Sequence, residues 1–418
     1  MKILIVTTRF FPYGSATSSV VGNLAEALHQ EGNEVHIAAL TRYKEDAISD
    51  TWGNICVTKI YSPAMITKEQ IRKEIRNNPL RSVNGLVTKT FDKIYQYIKA
   101  DYKLYSLNRS IISKYRNAIE NELKNKYDLC IVTLMPVEAV WVAYNIDFGN
   151  TVFVIYQLDP FWNNSDLPKQ YNHERFLLEI EMVKKSCFCM TTPLIAEENI
   201  IREPELAKKY IKTDFPCLKE RKKLKTKSHS SDSIVHCVFL GTLYPTLRPP
   251  EKLISIISQL HTEKISFDFY GSGLYLIEQS QDYKKAVSKI NIYGQIASDV
   301  AEAMMSEADI LVNIDNTSTA LVPSKIFEYV STGKPIINCY FSEKSQTLKY
   351  LEKYPLCVNV NLNDDTMKSA EKTDQFISNL KGENVPFETI QELYHRNTPV
   401  FVARQCLEAY SDRVRYNK

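Results

Sequence analysis

Apolar and polar positions in the first forty residues follow the pattern of a strand, a helix and a second strand. Residues 2–6 (KILIV) and 35–40 (VHIAAL) are continuous apolar runs of the kind that a parallel strand covered on both faces needs. Between them, Val20, Val21, Leu24 and Leu28 recur at helical spacing, and a glycine follows the predicted helix. Because such units cross over with a right hand, we expect the loop after the first strand at the carboxyl edge of the sheet.

The same alternation continues along the chain and restarts after residue 233. Further strands are predicted at 129–133, 152–156, 187–191, 235–240, 265–270, 290–293, 310–312 and 335–337, and helices at 250–260, 300–307, 323–332 and 401–416. Residues 219–233 (KERKKLKTKSHSSDS) are charged and lack apolar periodicity, which predicts a linker. Since 418 residues exceed what one core usually supports, we expect an α/β protein of two doubly wound domains.

The segment from residue 67 to residue 126 is predicted to be helical and is unusually basic. Phe91, Tyr95, Ile98, Tyr102 and Tyr105 recur at spacings of three and four residues. Residues 68–126 contain 14 Lys and Arg against 6 Asp and Glu, a net charge of +8, although the whole chain is only +3. Three interpretations stay open: contact with an anionic membrane surface, binding of a polyanionic glycan, or a solvated helical insertion.

Composition narrows the class of protein further. A net charge near zero argues against a nucleic-acid partner. Nine scattered cysteines, without a C-x-x-C pair or zinc spacing, fit a reducing cytoplasm. The N-terminal apolar run is too short for a secretion signal, and the longest apolar stretch, 129–146, is interrupted by Pro136 and Glu138. We therefore expect a cytoplasmic chain, with peripheral association at the inner face of the plasma membrane as one interpretation.

Two places at predicted carboxyl edges carry candidate chemistry. Gly14, in PYGSA, precedes a helix whose N-terminus would favour phosphate, although the loop lacks the G-x-G-x-x-G pattern of a nicotinamide site. The run VPSKIFEYV opens a predicted helix with proline, so the backbone N–H groups of Ser324 and Lys325 would face a diphosphate. Glu328, one turn on, would accept hydrogen bonds from ribose hydroxyls. The alternative is an ordinary amphipathic helix with a solvated glutamate.

The sequence around this second site resembles a known enzyme family. The run VPSKIFEYVSTGKPII, preceded by ADILVNIDN, is similar to the nucleotide-binding signature of family 4 glycosyltransferases, in the branch that makes bacterial surface polysaccharides. The opening residues MKILIVTTRFFPYGSATSSVVGNLAEAL resemble the first βα unit of that family. The resemblance implies the GT-B fold, in which two Rossmann-like domains face each other across a cleft. Residues 1–215 would bind the acceptor, with helix 396–418 packing back on them, and residues 216–395 would bind the nucleotide sugar.

The resemblance also implies roles for individual residues. Glu328 matches the glutamate that holds the ribose, Ser324 and Lys325 match the positions whose amides contact the diphosphate, and Ile296 matches the segment that contacts the base. Gly14 matches the glycine loop on the phosphate side of the first domain. No cofactor is implied, because the nucleotide sugar, expected to be a UDP sugar, is the donor substrate.

Further positions are singled out by departures from the family pattern or by their place in it. Many members carry a second glutamate where this chain has Ala320, and an arginine follows the glycine where Thr242 follows Gly241. We expect Arg248 to supply that missing charge, because a guanidinium suits phosphate oxygens. Asp159, after a predicted strand, would orient the acceptor hydroxyl or act as its base; the alternative is an aspartate that forms a turn before Pro160.

These expectations define one main hypothesis and two alternatives. The main hypothesis is a retaining glycosyltransferase that acts on a glycan or lipid-linked acceptor in surface-polysaccharide assembly. The chain contains no Asp-x-Asp sequence, so we expect no metal site and metal-independent catalysis, with Asp159, Arg248 and Lys325 as catalytic residues. The alternatives are a nucleotide-sugar epimerase of the same fold, and a non-catalytic partner subunit, which Ala320 and Thr242 favour.

Overall fold

The computed structural model divides the chain into two compact units. The first unit comprises Met1–Pro216 and Pro399–Lys418, and the second comprises Cys217–Thr398. The structure describes residues 1–8, 10, 16–41, 51–65, 71, 75, 79–99, 101, 105, 107–134, 136–162, 169–221, 234–319 and 321–416. Both units contain a parallel sheet with helices, which confirms the prediction of two Rossmann-like α/β domains.

In the described part of the first unit, eight strands form one sheet. They are β1 Lys2–Thr7, β2 Glu34–Thr41, β3 Thr51–Trp52, β4 Ile55–Tyr61, β5 Leu129–Thr133, β6 Val152–Gln157, β7 Phe188–Thr191 and β8 Tyr210–Lys212. Their order is β3-β4-β2-β1-β5-β6-β7-β8, and only β3 pairs antiparallel. The side chains of residues 3–6 in β1 are fully buried, because the strand lies inside the sheet and both of its faces are covered.

Helices connect these strands. They are α1 Ala16–Gln30, α2 Pro79–Ile98, α3 Arg109–Leu123, α4 Val137–Tyr144, α5 Asn172–Lys185 and α6 Pro193–Arg202. In the described parts of the predicted helical segment 67–126, the helices α2 and α3 occur, and the rest of the segment lies outside the described residues. Short 3-10 turns occur at Pro63–Met65, Lys169–Tyr171 and Pro204–Lys209.

The described strands of the second unit form a six-stranded, fully parallel sheet. They are β9 Val235–Thr242, β10 Ile265–Ser272, β11 Ile290–Gly294, β12 Ile310–Ile314, β13 Ile336–Tyr340 and β14 Cys357–Asn361. The helices are α7 Glu251–Gln259, α8 Tyr275–Glu278, α9 Tyr283–Ala286, α10 Ser298–Glu307, α11 Lys325–Val330, α12 Gln346–Leu351, α13 Thr366–Asn379 and α14 Phe387–Leu393. The chain then returns to the first unit as α15, Pro399–Tyr416, where Arg404 Nε lies 2.9 Å from Glu31 Oε1 at the end of α1.

A ladder of asparagine amides fixes the register of three strands in the second unit. Asn313, Asn338 and Asn359 are register partners on β12, β13 and β14. Asn313 Nδ2 donates to Asn338 Oδ1 and Asn338 Nδ2 donates to Asn359 Oδ1, each at 2.8 Å. A slip by one residue would break both amide bonds and bury unpaired polar groups, so the ladder sets where the carboxyl end of β12 lies.

Two glycines allow the carboxyl ends of β9 and β10 to approach closely. Gly273 has φ +72°, and a Cβ atom there would lie 2.2 Å from the backbone oxygen of Leu243. Gly271 has φ +137°, and a Cβ atom there would lie 1.7 Å from the oxygen of Gly241. The loop that follows β9 therefore depends on these glycines for its path.

We expect Gly273→Ala to lower the free energy of unfolding by at least about 2 kcal/mol, from φ strain together with the overlap. Gly382 is a matched control, because its φ is +74° and nothing lies within 4 Å of its Cβ position. Gly382→Ala should therefore cost only the strain, about 1 kcal/mol. Urea unfolding of the two variants measures the difference, and equal losses would show that the close approach to Leu243 contributes nothing.

Candidate functional site

The strand order of the second sheet identifies where a ligand would bind. The order β11-β10-β9-β12-β13-β14 is the doubly wound order 3-2-1-4-5-6, with its reversal between β9 and β12. In doubly wound sheets, ligands bind in the crevice outside the carboxyl ends of the strands at such a reversal. The candidate site is therefore bounded by the loop after β9, the loop after β12 and helix α11.

Arg248 joins the two loops. Its Nη2 donates to Asn316 Oδ1 at 2.9 Å, and its Nη1 lies 3.4 Å from the carbonyl oxygen of Thr242. Backbone hydrogen bonds between Tyr244 and Arg248, 3.2 Å in both directions, fold the loop after β9 back on itself. The Nε atom of Arg248 is buried without a hydrogen-bond partner among the described residues. The guanidinium is thus positioned by protein contacts and keeps an unused donor.

A buried carboxylate lies directly behind Arg248. Asp315 follows β12 and is 1% exposed. It accepts hydrogen bonds from Thr347 Oγ1 at 2.7 Å, from the backbone N–H of Asn316 at 2.8 Å and from Ser345 Oγ. Burial raises the pKa of Asp315, while these bonds and the nearby Arg248 lower it. Asp315 therefore fixes the loop that carries Asn316, and through Asn316 it fixes the guanidinium.

Helix α11 is attached to the same strand end as Arg248. The hydroxyl of Tyr329 accepts the backbone N–H of Leu240 at 2.9 Å, near the end of β9. The helix is shorter than predicted, since it spans Lys325–Val330 instead of 323–332. Three-residue turns flank it, with the N–H of Ile326 bonded to the oxygen of Pro323 and that of Gly333 bonded to the oxygen of Val330.

Two cationic side chains hold Glu328: Lys325, on α11, and Arg221, which precedes β9 in the chain. Its Oε2 lies 2.8 Å from Lys325 Nζ and 3.2 Å from Arg221 Nη2, and its side chain is 21% exposed. Arg221 also pairs with Glu302, at 3.1 Å from Nη1 to Oε1. Sequence analysis missed Arg221 because it lies in the charged stretch predicted as a linker, of which residues 222–233 are outside the described residues. The ammonium of Lys325 thus pairs with Glu328 in this structure. What α11 presents at the candidate site is therefore the backbone at its N-terminus.

The remaining predicted residues of the second unit lie around the same edge. Gly241 is half-buried, and a Cβ atom there would come within 3.5 Å of Arg248 Nη1. Ser324 is half-buried and caps α11 without a side-chain hydrogen bond. Ile296 is half-buried and follows Gly294, whose φ of +82° turns the chain at the end of β11. The strand order places Ile296 two strands from the crevice, on the β11 side. Ala320 lies outside the described residues.

The first unit repeats the same reversal between β1 and β5. Gly14, predicted in the loop after β1, lies outside the described residues. Asp159 is exposed after β6, and its carbonyl oxygen lies 3.3 Å from Gln157 Nε2. The ends of β1 and β5 are joined by a 3.2 Å hydrogen bond from Thr133 Oγ1 to Thr7 Oγ1.

Glu138 is a candidate at this edge that sequence analysis did not select. It lies in the first turn of α4, which follows β5, and is 8% exposed. Its Oε1 accepts the backbone N–H of Asn108 at 2.9 Å. Burial raises the pKa of Glu138 from 4.5 to about 7, and the nearby carboxylate of Asp92 acts in the same direction. A carboxyl group half-protonated near neutral pH suits proton transfer. In the sequence, Glu138 only interrupts the apolar stretch 129–146, so it was not selected as a candidate.

We expect Glu138→Gln to stabilise the protein at pH 8 and to change little at pH 4. The folded-state pKa is raised, so the folded chain binds more protons than the unfolded chain between pH 4.5 and about 7, and stability falls as pH rises through that window. Removing the carboxylate should recover up to about 3 kcal/mol at pH 8. Urea unfolding at both pH values tests this, and an equal effect at both would show that Glu138 does not titrate in this window.

Within the described ranges, no group of three or more His, Cys, Asp and Glu side chains could hold a metal ion. Across the same ranges, no helix has both the length and the apolar character needed to cross a membrane.

The candidate site consists of arginine, lysine, carboxylate and amide groups at the carboxyl edge of a doubly wound sheet. Such groups bind phosphates and vicinal hydroxyls.

No protein-family model matches the chain. No curated protein matches it in sequence. Solved structures do match over its whole length. The apo form of the lipopolysaccharide outer core galactosyltransferase WaaB has a TM-score of 0.58 at 14% identity, covering 99% of this chain and 100% of that one. HepE of Anabaena in complex with UDP-glucose has a TM-score of 0.63 at 12% identity, covering 99% and 100%.

A third similar structure is a putative UDP-N-acetylglucosamine 2-epimerase from Listeria monocytogenes. Its TM-score is 0.58 at 10% identity, and the match covers 99% of this chain and 97% of that one. Identities this low report shared architecture, which agrees with the two parallel sheets described above. The chain has the GT-B fold, with two Rossmann-like domains, as the sequence resemblance implied.

Proposed function

We propose that the protein is a glycosyltransferase that takes a sugar from a nucleotide donor bound in the second unit. The observation that carries the proposal is the site at the β9/β12 reversal. There the guanidinium of Arg248 and helix α11, which carries Glu328, are both hydrogen-bonded to the carboxyl end of β9. Doubly wound sheets bind nucleotides at this reversal. HepE, a GT-B protein of similar architecture, was solved with UDP-glucose, which supports a nucleotide sugar as the ligand.

The ribose and the diphosphate of a nucleotide sugar have counterparts in this site. Glu328 accepts hydrogen bonds from the ribose hydroxyls, and Arg221 and Lys325 hold its carboxylate in place. Arg248, which is half-buried, binds the diphosphate through the Nη hydrogens that its contacts with Asn316 and Thr242 leave unused. Gly241 leaves room for the diphosphate beside that guanidinium, because a side chain there would approach Arg248 Nη1.

The rest of the donor is assigned by position. The backbone N–H groups of Ser324 and Lys325 face the diphosphate, and Ile296 contacts the base, which we propose is uracil. Catalysis then depends on positioning and on stabilising the charge that develops on the departing diphosphate. Arg248 supplies that charge in place of a metal ion, and Lys325 adds to it. We propose that transfer retains the anomeric configuration.

The acceptor belongs to the first unit in this proposal. As the sequence resemblance implies, Gly14 contributes to the glycine loop on the phosphate side of this unit, and Asp159 orients the acceptor hydroxyl or takes its proton. The acceptor is a glycan or lipid-linked glycan of surface-polysaccharide assembly, as the sequence resemblance implies, and the protein acts at the cytoplasmic face of the membrane.

A second candidate function is favoured by Glu138. An epimerase needs acid and base groups but no acceptor, and the pKa of about 7 at a carboxyl edge fits such a group. The similarity to the Listeria epimerase structure is consistent with this alternative. A non-catalytic partner subunit is the third possibility, favoured by Ala320 and Thr242.

One experiment separates the three functions. The purified protein is incubated with a UDP sugar in EDTA, with and without a lipid-linked glycan acceptor, and both free UDP and isomerised UDP sugar are measured. We expect UDP release that depends on the acceptor and survives EDTA. Isomerised UDP sugar without acceptor would identify an epimerase, whereas binding without either product would identify a partner subunit. Activity that EDTA abolishes and magnesium restores would contradict metal-independent transfer.

A further inference from the structure

Helix α2, Pro79–Ile98, presents its apolar side to solvent. Its outward stripe lies at positions 80, 83, 87, 91, 94 and 98, spaced by three and four residues. These six side chains are between 46% and 79% exposed. The stripe consists of Leu80, Val83, Val87, Phe91, Ile94 and Ile98.

The opposite side of the same helix is polar and faces the protein. Ser82 and Asp92 are buried, and Gln96 is half-buried. The Ser82 hydroxyl donates to the oxygen of Ile71 at 3.4 Å, and Gln96 Nε2 donates to the oxygen of Leu107. Arg109 Nε lies 3.9 Å from Asp92 Oδ1. These contacts fix the rotation of the helix, so its apolar side faces outward as a consequence of specific polar contacts on its inner side.

The charges around the stripe select its partner. Lys93 and Lys99 are exposed. Lys99 follows α2 directly, and its backbone N–H bonds to the oxygen of Tyr95 at 2.9 Å, as in a helix. Helical geometry therefore places the two lysines on opposite flanks of the stripe, roughly 110–130° from its centre. Tyr97, 84% exposed, lies on one flank as well. The surrounding segment 68–126 carries a net charge of +8. A second copy of the chain would bring two such cationic segments together, whereas an anionic lipid surface neutralises them.

We infer that α2 lies in the headgroup region of an anionic bilayer, with the stripe inserted and Lys93 and Lys99 at the lipid phosphates. Amphipathic helices with lysines on their flanks and an aromatic residue at the edge of the apolar side bind membrane surfaces in this way. The helix is about 30 Å long, and its axis would lie parallel to the membrane surface. The inference goes beyond the proposed function and does not depend on it, because every residue involved lies in the first unit, far along the chain from the nucleotide site.

Insertion has a different signature from electrostatic attraction alone. Salt screens charges, so a purely electrostatic contact is released at about 1 M salt, where the Debye length is about 3 Å. The inserted stripe should keep a measurable fraction bound under that condition. It should also shift the emission of a tryptophan placed in the stripe, Phe91→Trp, to shorter wavelength when vesicles are added.

The test uses the full-length protein and sedimentation with phosphatidylcholine vesicles, with and without phosphatidylglycerol. We expect binding to the anionic vesicles, partial retention in high salt, and a loss of roughly tenfold or more in partitioning for the double variant Phe91→Gln with Ile94→Gln. The matched control is Leu177→Gln with Ile201→Gln, which changes two exposed apolar residues on other helices of the same unit. It should bind like the wild type. Unchanged circular dichroism confirms that each variant is folded.

Three results would overturn the inference. The first is equal vesicle binding by the stripe variant and the wild type. The second is complete release in high salt with no emission shift from Phe91→Trp. The third is a wild-type dimer in sedimentation velocity that the stripe variant converts to monomer, because the stripe would then bind a second copy.

Discussion

Arg248→Ala is expected to lower the turnover number for sugar transfer by roughly 100- to 1,000-fold, the usual cost of removing one preorganised group that stabilises developing charge. The reason is geometric as well as electrostatic. The guanidinium is positioned by Asn316 and Thr242 before any ligand binds, so little reorganisation is needed when the diphosphate departs. Steady-state kinetics with a saturating UDP sugar and acceptor measures the loss.

Two further variants make this result interpretable. Arg248→Lys keeps the charge but loses the planar donor pair, so we expect activity between that of the wild type and that of Arg248→Ala. Lys368→Ala removes an exposed cation elsewhere in the second unit and should leave turnover unchanged. Wild-type turnover in Arg248→Ala would remove this residue from the proposed catalytic residues and leave the proposed metal-independent mechanism without its main cation.

Glu328→Ala is expected to weaken UDP binding by roughly 1.5–3 kcal/mol, or about 10- to 150-fold, the contribution of hydrogen bonds to a charged group. Titration calorimetry measures this loss. The structure complicates a simple deletion, because removing Glu328 also frees Arg221 and Lys325, which it holds at 3.2 and 2.8 Å. Some of the lost affinity will then be offset by their attraction for the diphosphate.

Glu302 offers a control for that complication. Its carboxylate also pairs with Arg221, at 3.1 Å, but it lies on α10 and is more exposed than Glu328. We expect Glu302→Ala to leave UDP affinity unchanged. If both variants lost affinity equally, the effect would come from Arg221, and the assignment of Glu328 to the ribose would be wrong.

The parts of this fold that sequence analysis predicted well are those with local causes. The strand β1 follows from four consecutive apolar residues, and β9 and β12 follow in the same way. The candidate site at α11 was selected because proline, a cationic residue and a glutamate occur within six residues of one another. Spacing along the chain was sufficient there, since the helix keeps those residues close in space.

The parts that sequence analysis missed depend on contacts between distant residues. Asn316 holds Arg248 across 68 residues, and Arg221 holds Glu328 across 107 residues. No local pattern marks either pair, and Arg221 is surrounded by solvated lysines in sequence. The raised pKa of Glu138 could not be predicted from the sequence either, because it depends on surroundings that the fold brings together.

Helix α2 shows a different limit. Its apolar period predicts a helix correctly, but the same period normally indicates the side that faces the core. Here Ser82, Asp92 and Gln96 occupy the inner side instead. The basic charge of the segment was the only feature of the sequence that pointed to an external partner, and it did not distinguish surface attraction from insertion.

Hydrogen–deuterium exchange with and without saturating UDP tests the central claim most directly, because it locates the nucleotide without any substitution. The account predicts slower exchange in the peptides that contain residues 241–248, 313–319 and 324–330, all at the carboxyl edge beside the β9/β12 reversal. Exchange in residues 129–133 of the first sheet should not change. Protection confined to the first unit, or no protection in the second, would contradict the assignment of the nucleotide site.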